Sequence, residues 1–214
     1  MRHRHVIWDW NGTLFNDAGL CVDCMNTLLE RRSLPLLTPA RYRAVFDFPV
    51  IEYYRRLGFD FDHEPFERLG TEFMVEYERR KYECGLQPNA VSVLEELAGA
   101  GLTQSVLSAY RQDTLEELLE HFEVRRFFTK VIGADDHYAT GKVGQGLSWI
   151  RELNVDPGEV VLVGDTVHDF EVARAMGTAC VLIPGGNHDR ARLLSCGVPV
   201  LDGLREVARA IVDG

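Results

Sequence analysis

Four groups of side chains in this sequence are suited to phosphoryl transfer, and each follows a short apolar run. They are Asp9, Ser108, Lys142 and the pair Asp165 and Asp169. A carboxylate can attack phosphorus and form an acyl phosphate, provided that a cation lies between the two anions. A hydroxyl and a compact ammonium group can hold the remaining phosphate oxygens. This set of residues therefore predicts phosphoryl chemistry supported by a divalent ion.

The carboxylates of Asp9 and Asp165 are the groups expected to hold that ion. Mg²⁺ prefers oxygen ligands, usually one or two carboxylates together with a carbonyl and waters. Asp169 follows Asp165 by four residues, and like charges at that spacing on a helix repel each other, which favours a bound cation. Gly12 permits a tight backbone turn after Asp9, so that neighbouring amides can point at a phosphate.

The apolar runs that precede these groups are typical of buried strands in a parallel sheet. They are His5–Trp8, Thr103–Leu107, Lys130–Gly133, Val160–Val163 and Cys180–Ile183. Segments with helical spacing separate them, at Asn89–Ala98, Asp113–His121, Gly146–Leu153 and Phe170–Ala175, and Leu204–Val212 predicts a closing helix. The pattern predicts an α/β fold with a doubly wound, Rossmann-like parallel sheet, whose ligands bind beyond the carboxyl ends of the strands.

Residues 15–85 interrupt this alternation and predict an inserted α-helical cap domain. Their helical patterns are Leu20–Arg31, Arg41–Val45, Val50–Leu57 and Phe66–Cys84, punctuated by prolines. The catalytic core is then expected to consist of residues 1–14 and 86–214. The aromatic residues Phe46, Phe48, Phe59 and Phe61 are predicted to form the core of the cap rather than a substrate platform.

Composition excludes several classes of function. The formal net charge of −10 and the pI near 5.2 argue against a nucleic-acid-binding surface, which needs a basic face. No apolar run approaches the roughly 20 residues that cross a bilayer. The strand-like run that starts at Val6 lies so near the N-terminus that we expect no signal peptide before it. We expect a cytoplasmic monomer or homodimer.

The five cysteines do not form a disulfide pattern, and Cys21 and Cys24 are interpreted as structural.

The order and spacing of these motifs resemble the haloacid-dehalogenase-like superfamily over nearly the whole chain. Asp9–Leu14 resembles its first motif, Ser108 its second, Lys142 its third and Gly164–Asp169 its fourth. The helical insert is similar to the C1 cap of phosphoglycolate phosphatase-like members. The resemblance implies a phosphatase that acts on a small phosphorylated metabolite, with Asp9 as nucleophile. It also implies Mg²⁺ bound by Asp9, the main-chain carbonyl of Asn11 and Asp165, with Asp169 near the water shell of the ion.

Asn11 departs from the family pattern, because phosphatases of this family usually carry an aspartate there as the general acid and base. An amide cannot transfer a proton, and losing such a group costs about 10²–10⁴-fold in rate. Turnover could be slow or limited to good leaving groups, or His168, His137 or His63 could replace the missing carboxylate. The alternatives are a phospholigand-binding or regulatory protein without turnover, and a phosphotransferase or mutase.

Substrate contacts are expected from both the core and the cap. The residues predicted to bind substrate are Trp10, Asn11, Ser108, Ala109, Lys142 and Arg43. Asp9, Asn11, Ser108 and Lys142 form the predicted catalytic set. Arg43 is the cap residue chosen for specificity, because an arginine fork suits a second anionic group on the substrate. The segment Gly185–His188 could line the site, although a plain loop is the simpler interpretation.

Overall fold

The fold is built on a five-stranded parallel sheet. The computed structural model describes residues 3–134 and 141–213. The strands are β1 (His5–Trp8), β2 (Thr103–Arg111), β3 (Lys130–Ala134), β4 (Val160–Gly164) and β5 (Ala179–Leu182). They lie in the order β3-β2-β1-β4-β5, with every neighbouring pair parallel. The predicted doubly wound α/β sheet is confirmed, and β1 and β4, which precede the predicted metal ligands, are neighbours.

Ten α-helices surround and extend this sheet in the described part of the chain. Those before β2 are α1 (Ala18–Arg31), α2 (Pro39–Val45), α3 (Val50–Leu57), α4 (Phe66–Arg80) and α5 (Ala90–Gly99). Those after it are α6 (Gln112–His121), α7 (Lys142–Leu153), α8 (Val167–Met176), α9 (Arg190–Leu194) and α10 (Leu204–Asp213). Short 3₁₀ turns follow α4, precede β3 and precede β4. Of these helices, α9 has no counterpart in the sequence-based prediction.

Alternate side chains of the strands face two separate hydrophobic layers, which is why the strands are apolar throughout. Val6 and Trp8 of β1 pack in the layer formed with α5, α6 and α10. Ile7 of β1 packs in the opposite layer, formed with α7 and α8. A central parallel strand buried on both faces has no solvent side, so polar residues are confined to its ends. Asp9 stands at such an end.

Helices α1 to α4 lie between β1 and β2 and share a hydrophobic cluster of their own. Its members include Met25 and Leu28 of α1, Tyr53 and Leu57 of α3, and Leu69 of α4. Some side chains of α1 and α4, such as Cys24 and Tyr77, pack instead in the layer beside the sheet. This arrangement fits the predicted cap, while the boundaries at residues 15 and 85 stay a prediction.

The two chain segments that join these helices to the sheet are hydrogen-bonded to each other. The amide of Asn16 donates to the carbonyl of Gly85 over 2.9 Å, and the amide of Gln87 donates to the carbonyl of Leu14 over 2.8 Å. Phe15, between these two bonds, pairs with the returning segment in an antiparallel bridge. The outgoing and returning segments therefore form one short antiparallel pair.

Neither a disulfide bond nor a membrane-spanning helix contributes to the part of the fold that the structure describes. All five cysteines are free. Within residues 3–134 and 141–213, no helix combines the length and the apolar character that a bilayer span requires.

Candidate active site

Asp9 is held at the carboxyl end of β1, where the residue is only 6% exposed. One carboxylate oxygen accepts a hydrogen bond from the ammonium group of Lys142 over 2.5 Å. The other accepts from the hydroxyl of Thr13 over 3.1 Å, within the turn that follows the strand. Burial raises the pKa of Asp9 to about 6, against the opposing effect of Lys142. A buried carboxylate with so few donors is weakly solvated, as a nucleophile requires.

Asp165 lies beside Asp9, at the end of the neighbouring strand β4. Its carboxylate accepts a hydrogen bond from the amide of Asn187, and it shares with Asp9 the single hydroxyl proton of Thr13, whose oxygen lies 3.0 Å away. Two glycines make room for it, because a Cβ atom at Gly12 would lie 2.3 Å from its Oδ2 atom and one at Gly186 would lie 2.2 Å away. Burial, together with the nearby carboxylates, raises the pKa of Asp165 well above its usual value.

Asp169 accepts hydrogen bonds from two neighbouring residues, Lys142 and Thr166. Its Oδ1 atom accepts from Lys142 over 2.6 Å. Its Oδ2 atom accepts from the amide and the hydroxyl of Thr166, which forms a capping box at the start of α8. Asp165 precedes that helix, so the prediction of two repelling carboxylates on one helix face was wrong. Burial alone would raise the pKa of Asp169, but Lys142 and Thr166 outweigh burial and lower the pKa.

The three carboxylates form a cluster whose chemistry fits a divalent cation. One oxygen from each of Asp9, Asp165 and Asp169 lies within 4.8 Å of the others. Lys142 is the cation that pairs with this cluster among the described residues, so three carboxyl groups face one ammonium group. Buried carboxylates without a counter-ion are strongly unfavourable, and a hard cation with oxygen ligands would relieve that cost. The main-chain carbonyl of Asn11 lies at the same site, where it accepts from the side chain of Asn187 over 3.3 Å.

Asn11 is bonded to a carboxylate that the sequence analysis did not single out. Its side-chain amide donates to Asp17 over 2.8 Å and to the hydroxyl of Tyr77 over 3.0 Å. Asp17 also accepts from the amide of Gly12 over 2.9 Å and from Tyr77 over 2.6 Å. It directly precedes α1, yet its side chain does not cap that helix. Asp17 instead anchors the turn after Asp9 to Tyr77 of α4, and burial raises its pKa.

Ser108 and Ala109 lie in an irregular part of β2 rather than after it. The pairing of β2 with β3 shifts register between Leu107 and Arg111, so β2 carries extra residues there. Such a bulge re-aims side chains next to a site. The hydroxyl of Ser108 accepts from the amide of Tyr110 over 3.0 Å, and both Ser108 and Ala109 line the cavity above Asp9.

A cavity of about 200 Å³ opens between this cluster and the helices α1 to α4. The polar end is formed by the carboxylate cluster with Asn11, Asp17, Ser108 and Lys142, and the opposite end is mainly aromatic and aliphatic. Phe46 and Phe48 line it, whereas the sequence analysis assigned both to the core of the cap. Phe46 also packs against that core, as does Phe61. Phe59 does lie in that core, 6% exposed.

Two of the predicted substrate-binding side chains do not reach the cavity. Trp10 is 0% exposed and stacks on Phe15, with 5.4 Å between the ring centroids. The indole is buried because the turn after Asp9 directs it into the layer beneath the sheet. Arg43 donates to the carbonyls of Gly186, over 3.2 Å, and Gly185, over 3.3 Å, so its fork is occupied by backbone.

The candidate replacements for the missing carboxylate also differ in place. His168 lines the cavity, where its ring lies 4.8 Å from that of Phe48. His63 is exposed and pairs with Asp60 over 2.7 Å, away from the cavity. His137 lies outside the described residues, as do Asp135 and Asp136.

The sequence analysis did not identify residues that hold the site together by hydrogen bonds between segments far apart in the sequence. Asn187 donates to Asp165 and to the carbonyl of Asn11, and it accepts from the hydroxyl of Tyr42 over 2.7 Å. The interpretation of Gly185–His188 as a plain loop was therefore wrong. The pair of glycines before Asn187 was the available sign, because such pairs often mark a close approach of the backbone to another group.

The chain is similar in sequence to several known proteins. The profile of the haloacid dehalogenase-like hydrolases matches residues 6–183. A phosphoglycolate phosphatase of Pseudomonas savastanoi pv. phaseolicola is 24% identical over 216 residues, covering 97% of this chain and 79% of that protein. The tyrosine-protein kinase PtkA of Mycobacterium tuberculosis is 25% identical over 183 residues, covering 85% of this chain and 62% of the kinase.

The same fold recurs among solved structures. A haloacid dehalogenase-like hydrolase from Streptococcus pneumoniae superposes with a TM-score of 0.83 at 19% identity, covering 98% of each chain. The structure of PtkA superposes with a TM-score of 0.80 at 24% identity, also covering 98% of each chain.

Proposed function

Because the chain belongs to the haloacid dehalogenase-like hydrolase family, we propose that it hydrolyses a small phosphomonoester through a phosphorylated Asp9, with Mg²⁺ as cofactor. The observation that carries the proposal is the placement of Asp9. Its buried carboxylate faces the cavity between Lys142 and the carboxylate of Asp165. Two buried carboxylates this close make little structural sense unless a cation joins them.

In the first step an oxygen of Asp9 attacks phosphorus and the bond from phosphorus to the ester oxygen breaks. The ester oxygen leaves with the bonding electron pair and is protonated afterwards from solvent. In the second step a water oxygen attacks the same phosphorus, the bond to Asp9 breaks, and the proton of the water is lost to solvent. Inorganic phosphate and a free Asp9 carboxylate result.

The side chains at the polar end of the cavity have separate tasks in these steps. Lys142 and the hydroxyl of Ser108 would hold phosphate oxygens, while Thr13 keeps the carboxylates of Asp9 and Asp165 in register. Asp9, the carbonyl of Asn11 and Asp165 would hold Mg²⁺, and Asp169 would orient both Lys142 and the ion's waters. When bound, the ion supplies positive charge that lowers the repulsion between Asp9 and the phosphate dianion.

Asn11 leaves the departing oxygen without the usual proton donor. The amide is held by Asp17 and Tyr77, so it keeps the turn in place but cannot supply a proton. Slow turnover, or turnover restricted to esters that leave easily, follows from this substitution.

The molecule that accepts the phosphoryl group distinguishes hydrolysis, in which it is water, from phosphotransferase or mutase activity, in which it is an organic compound. Release of inorganic phosphate from a panel of phosphomonoesters with Mg²⁺ is expected in the wild type and not in Asp9→Asn. Acid-quenched protein should carry a phosphoryl group that hydroxylamine removes, as expected for an acyl phosphate. Equal phosphate release from wild type and Asp9→Asn contradicts hydrolysis at this site. A phosphorylated Asp9 whose group passes to an organic acceptor, without free phosphate, would instead indicate a phosphotransferase or mutase.

A further inference from the structure

The cavity above Asp9 differs chemically from what a small anionic metabolite requires. Helices α1 to α4 line most of it with aromatic and aliphatic side chains. They include Met25, Tyr53, Phe66, Phe73 and Met74, and Phe46, directly after α2, also lines the cavity. Apolar lining of this kind gains free energy by covering an uncharged group, not a second carboxylate.

Cationic side chains are scarce around the cavity. Among the described lining residues, the arginines and lysines are Lys142 and Arg111. Lys142 is committed to Asp9 and Asp169 at the phosphate end. Arg111 is paired with Asp113, and its side chain is 40% exposed. The cap arginine Arg43 is occupied by two backbone carbonyls. A substrate with a second anionic group would therefore meet no unpaired cation among the described lining residues.

The dimensions of the cavity suit one ring. A protein cavity of roughly 150 Å³ is enough to hold benzene. The cavity here measures about 200 Å³ in all, and it is lined both by the carboxylate cluster and by aromatic side chains of α3 and α4. An aromatic ring attached to the phosphate would thus reach the side chains of α3 and α4 while phosphorus stays at Asp9.

The missing proton donor at position 11 indicates the same kind of substrate independently. An aliphatic alcohol is about as weak an acid as water, so it leaves poorly unless it is protonated. A phenol has a pKa of about 10, so a phenolate can leave without a protonated donor beside it. A phosphate ester of a phenol can therefore be cleaved although position 11 carries an asparagine and not an acid.

Resting on the proposed function, we propose that the substrate is an aryl phosphomonoester, with its phosphate at Asp9 and an uncharged aromatic ring against the apolar side chains of α3 and α4. Asp9 attacks phosphorus, the bond to the phenolic oxygen breaks, and the phenolate leaves with the electron pair and takes a proton from solvent. Water then releases phosphate from Asp9.

A panel of four compounds with Mg²⁺ separates ring binding from leaving-group ability. Phenyl phosphate has both the ring and the phenolic oxygen, and benzyl phosphate keeps the ring but leaves as an alkoxide. Acetyl phosphate leaves easily but has no ring, and phosphoglycolate has a second carboxylate. We expect phenyl and benzyl phosphates to have a KM about tenfold or more below those of the other two, because the ring is buried. Only phenyl phosphate should combine a low KM with a high kcat.

Gly70 offers a direct test of where the ring binds. It lines the cavity from α4, and a Cβ atom built there meets nothing within 4 Å outside its own helix. A leucine at this position should therefore occupy cavity space without a clash. Gly70→Leu should raise the KM for phenyl and benzyl phosphates about tenfold and leave acetyl phosphate nearly unchanged. Gly99→Leu is the matched control, since Gly99 of α5 is exposed, equally free of neighbours, and does not line the cavity.

Each outcome decides between the two proposals. Asp9-dependent hydrolysis that favours phosphoglycolate or acetyl phosphate in KM overturns the aryl assignment and leaves phosphatase activity intact. Equal loss of phenyl and acetyl phosphate turnover in Gly70→Leu also overturns it, because the ring would then not lie at α4. Hydrolysis of none of the four above Asp9→Asn overturns the proposed function, and the aryl assignment with it.

Discussion

The side-chain amide of Asn11 donates a hydrogen bond to the carboxylate of Asp17, with 2.8 Å between Nδ2 and Oδ2. A carboxyl group therefore lies six residues further along the chain, bonded to the amide that stands at position 11. Considered alone, the loss of a proton donor predicts that Asn11→Asp raises turnover. The contact with Asp17 changes that expectation, because two carboxylates would then face each other at hydrogen-bond distance.

The first prediction concerns an exchange of these two groups. We expect Asn11→Asp alone to give little gain, because repulsion from Asp17 displaces the new carboxylate. Combining Asn11→Asp with Asp17→Asn restores one acid and one amide, and should raise kcat for an alkyl phosphate by about 10²-fold. Asp17→Asn alone is the control for loss of the anchor. Equal rates for the single and double variants at position 11 would show that Asp17 does not restrain this position.

The second prediction concerns the metal site. Mg²⁺ should raise the melting temperature of the wild type, because an ion that binds only the folded state stabilises it. At an Mg²⁺ concentration 100 times the dissociation constant, the gain is about 2.7 kcal/mol. Asp165→Asn should lose most of this shift and melt higher without the ion, since one of three clustered charges is removed. Asp202→Asn, at an exposed position, is the control. An undiminished shift in Asp165→Asn would contradict the assigned ligand.

The third prediction concerns Lys142, whose side chain is 3% exposed between Asp9 and Asp169. Lys142→Met should abolish detectable turnover. Its free energy of unfolding should also fall by about 3–5 kcal/mol, because two buried carboxylates lose their partner. Lys130→Met removes an exposed pair with Glu152 and should cost at most about 1 kcal/mol. Urea denaturation of both variants measures the difference. Equal losses in the free energy of unfolding would show that the buried ion pair stabilises the fold no more than the exposed one.

The fourth prediction is a pH dependence that originates in the sheet. His5 is fully buried and bonded to the hydroxyls of Thr103, over 2.7 Å, and Ser105, over 2.8 Å, and burial lowers its pKa to about 4. Between its usual pKa of 6.5 and that value, the unfolded chain binds a proton that the folded protein does not. The free energy of unfolding should therefore fall as pH drops, by about 2 kcal/mol from pH 7 to pH 5 for this group.

His5→Gln should flatten that dependence, because glutamine does not titrate in this range. Some slope should persist, since burial also lowers the pKa of His188 to about 4. Chemical denaturation of both proteins at pH 7 and pH 5 provides the measurement. A slope equal to that of the wild type would show that His5 does not remain neutral in the folded protein.

Local sequence patterns were sufficient to predict the sheet and the polar groups at its edge. The runs before Asp9 and Asp165 are continuously apolar because both faces of their strands are covered, so the strand ends were easy to locate. The ends of parallel strands meet at one edge, which brings Lys142 into the same place. None of these inferences needed knowledge of contacts between distant segments.

Contacts between distant segments account for what the sequence did not reveal. Asp17 meets Tyr77, which lies 60 residues away, and Asn187 meets Asn11 across 176 residues. The irregularity that directs Ser108 depends on the register of β3 against β2, which no pattern within β2 encodes. Trp10 was misassigned because an aromatic side chain beside a nucleophile suits either a cavity or a core, and only the stacking on Phe15 decides between them.

The paired segments around Phe15 and Leu86 have a mechanical consequence for how the cavity admits a substrate. Two bonded chains form a ribbon, which bends across its width more easily than its chains slide past each other, since sliding breaks both Asn16–Gly85 and Leu14–Gln87 bonds. We therefore expect the joining segments to hold α1 to α4 in one alignment with the sheet, together with the bonds of Tyr42 and Arg43 to Asn187 and Gly186. The side chains of α3 and α4 that line the cavity would then keep one position relative to Asp9 whenever a substrate enters.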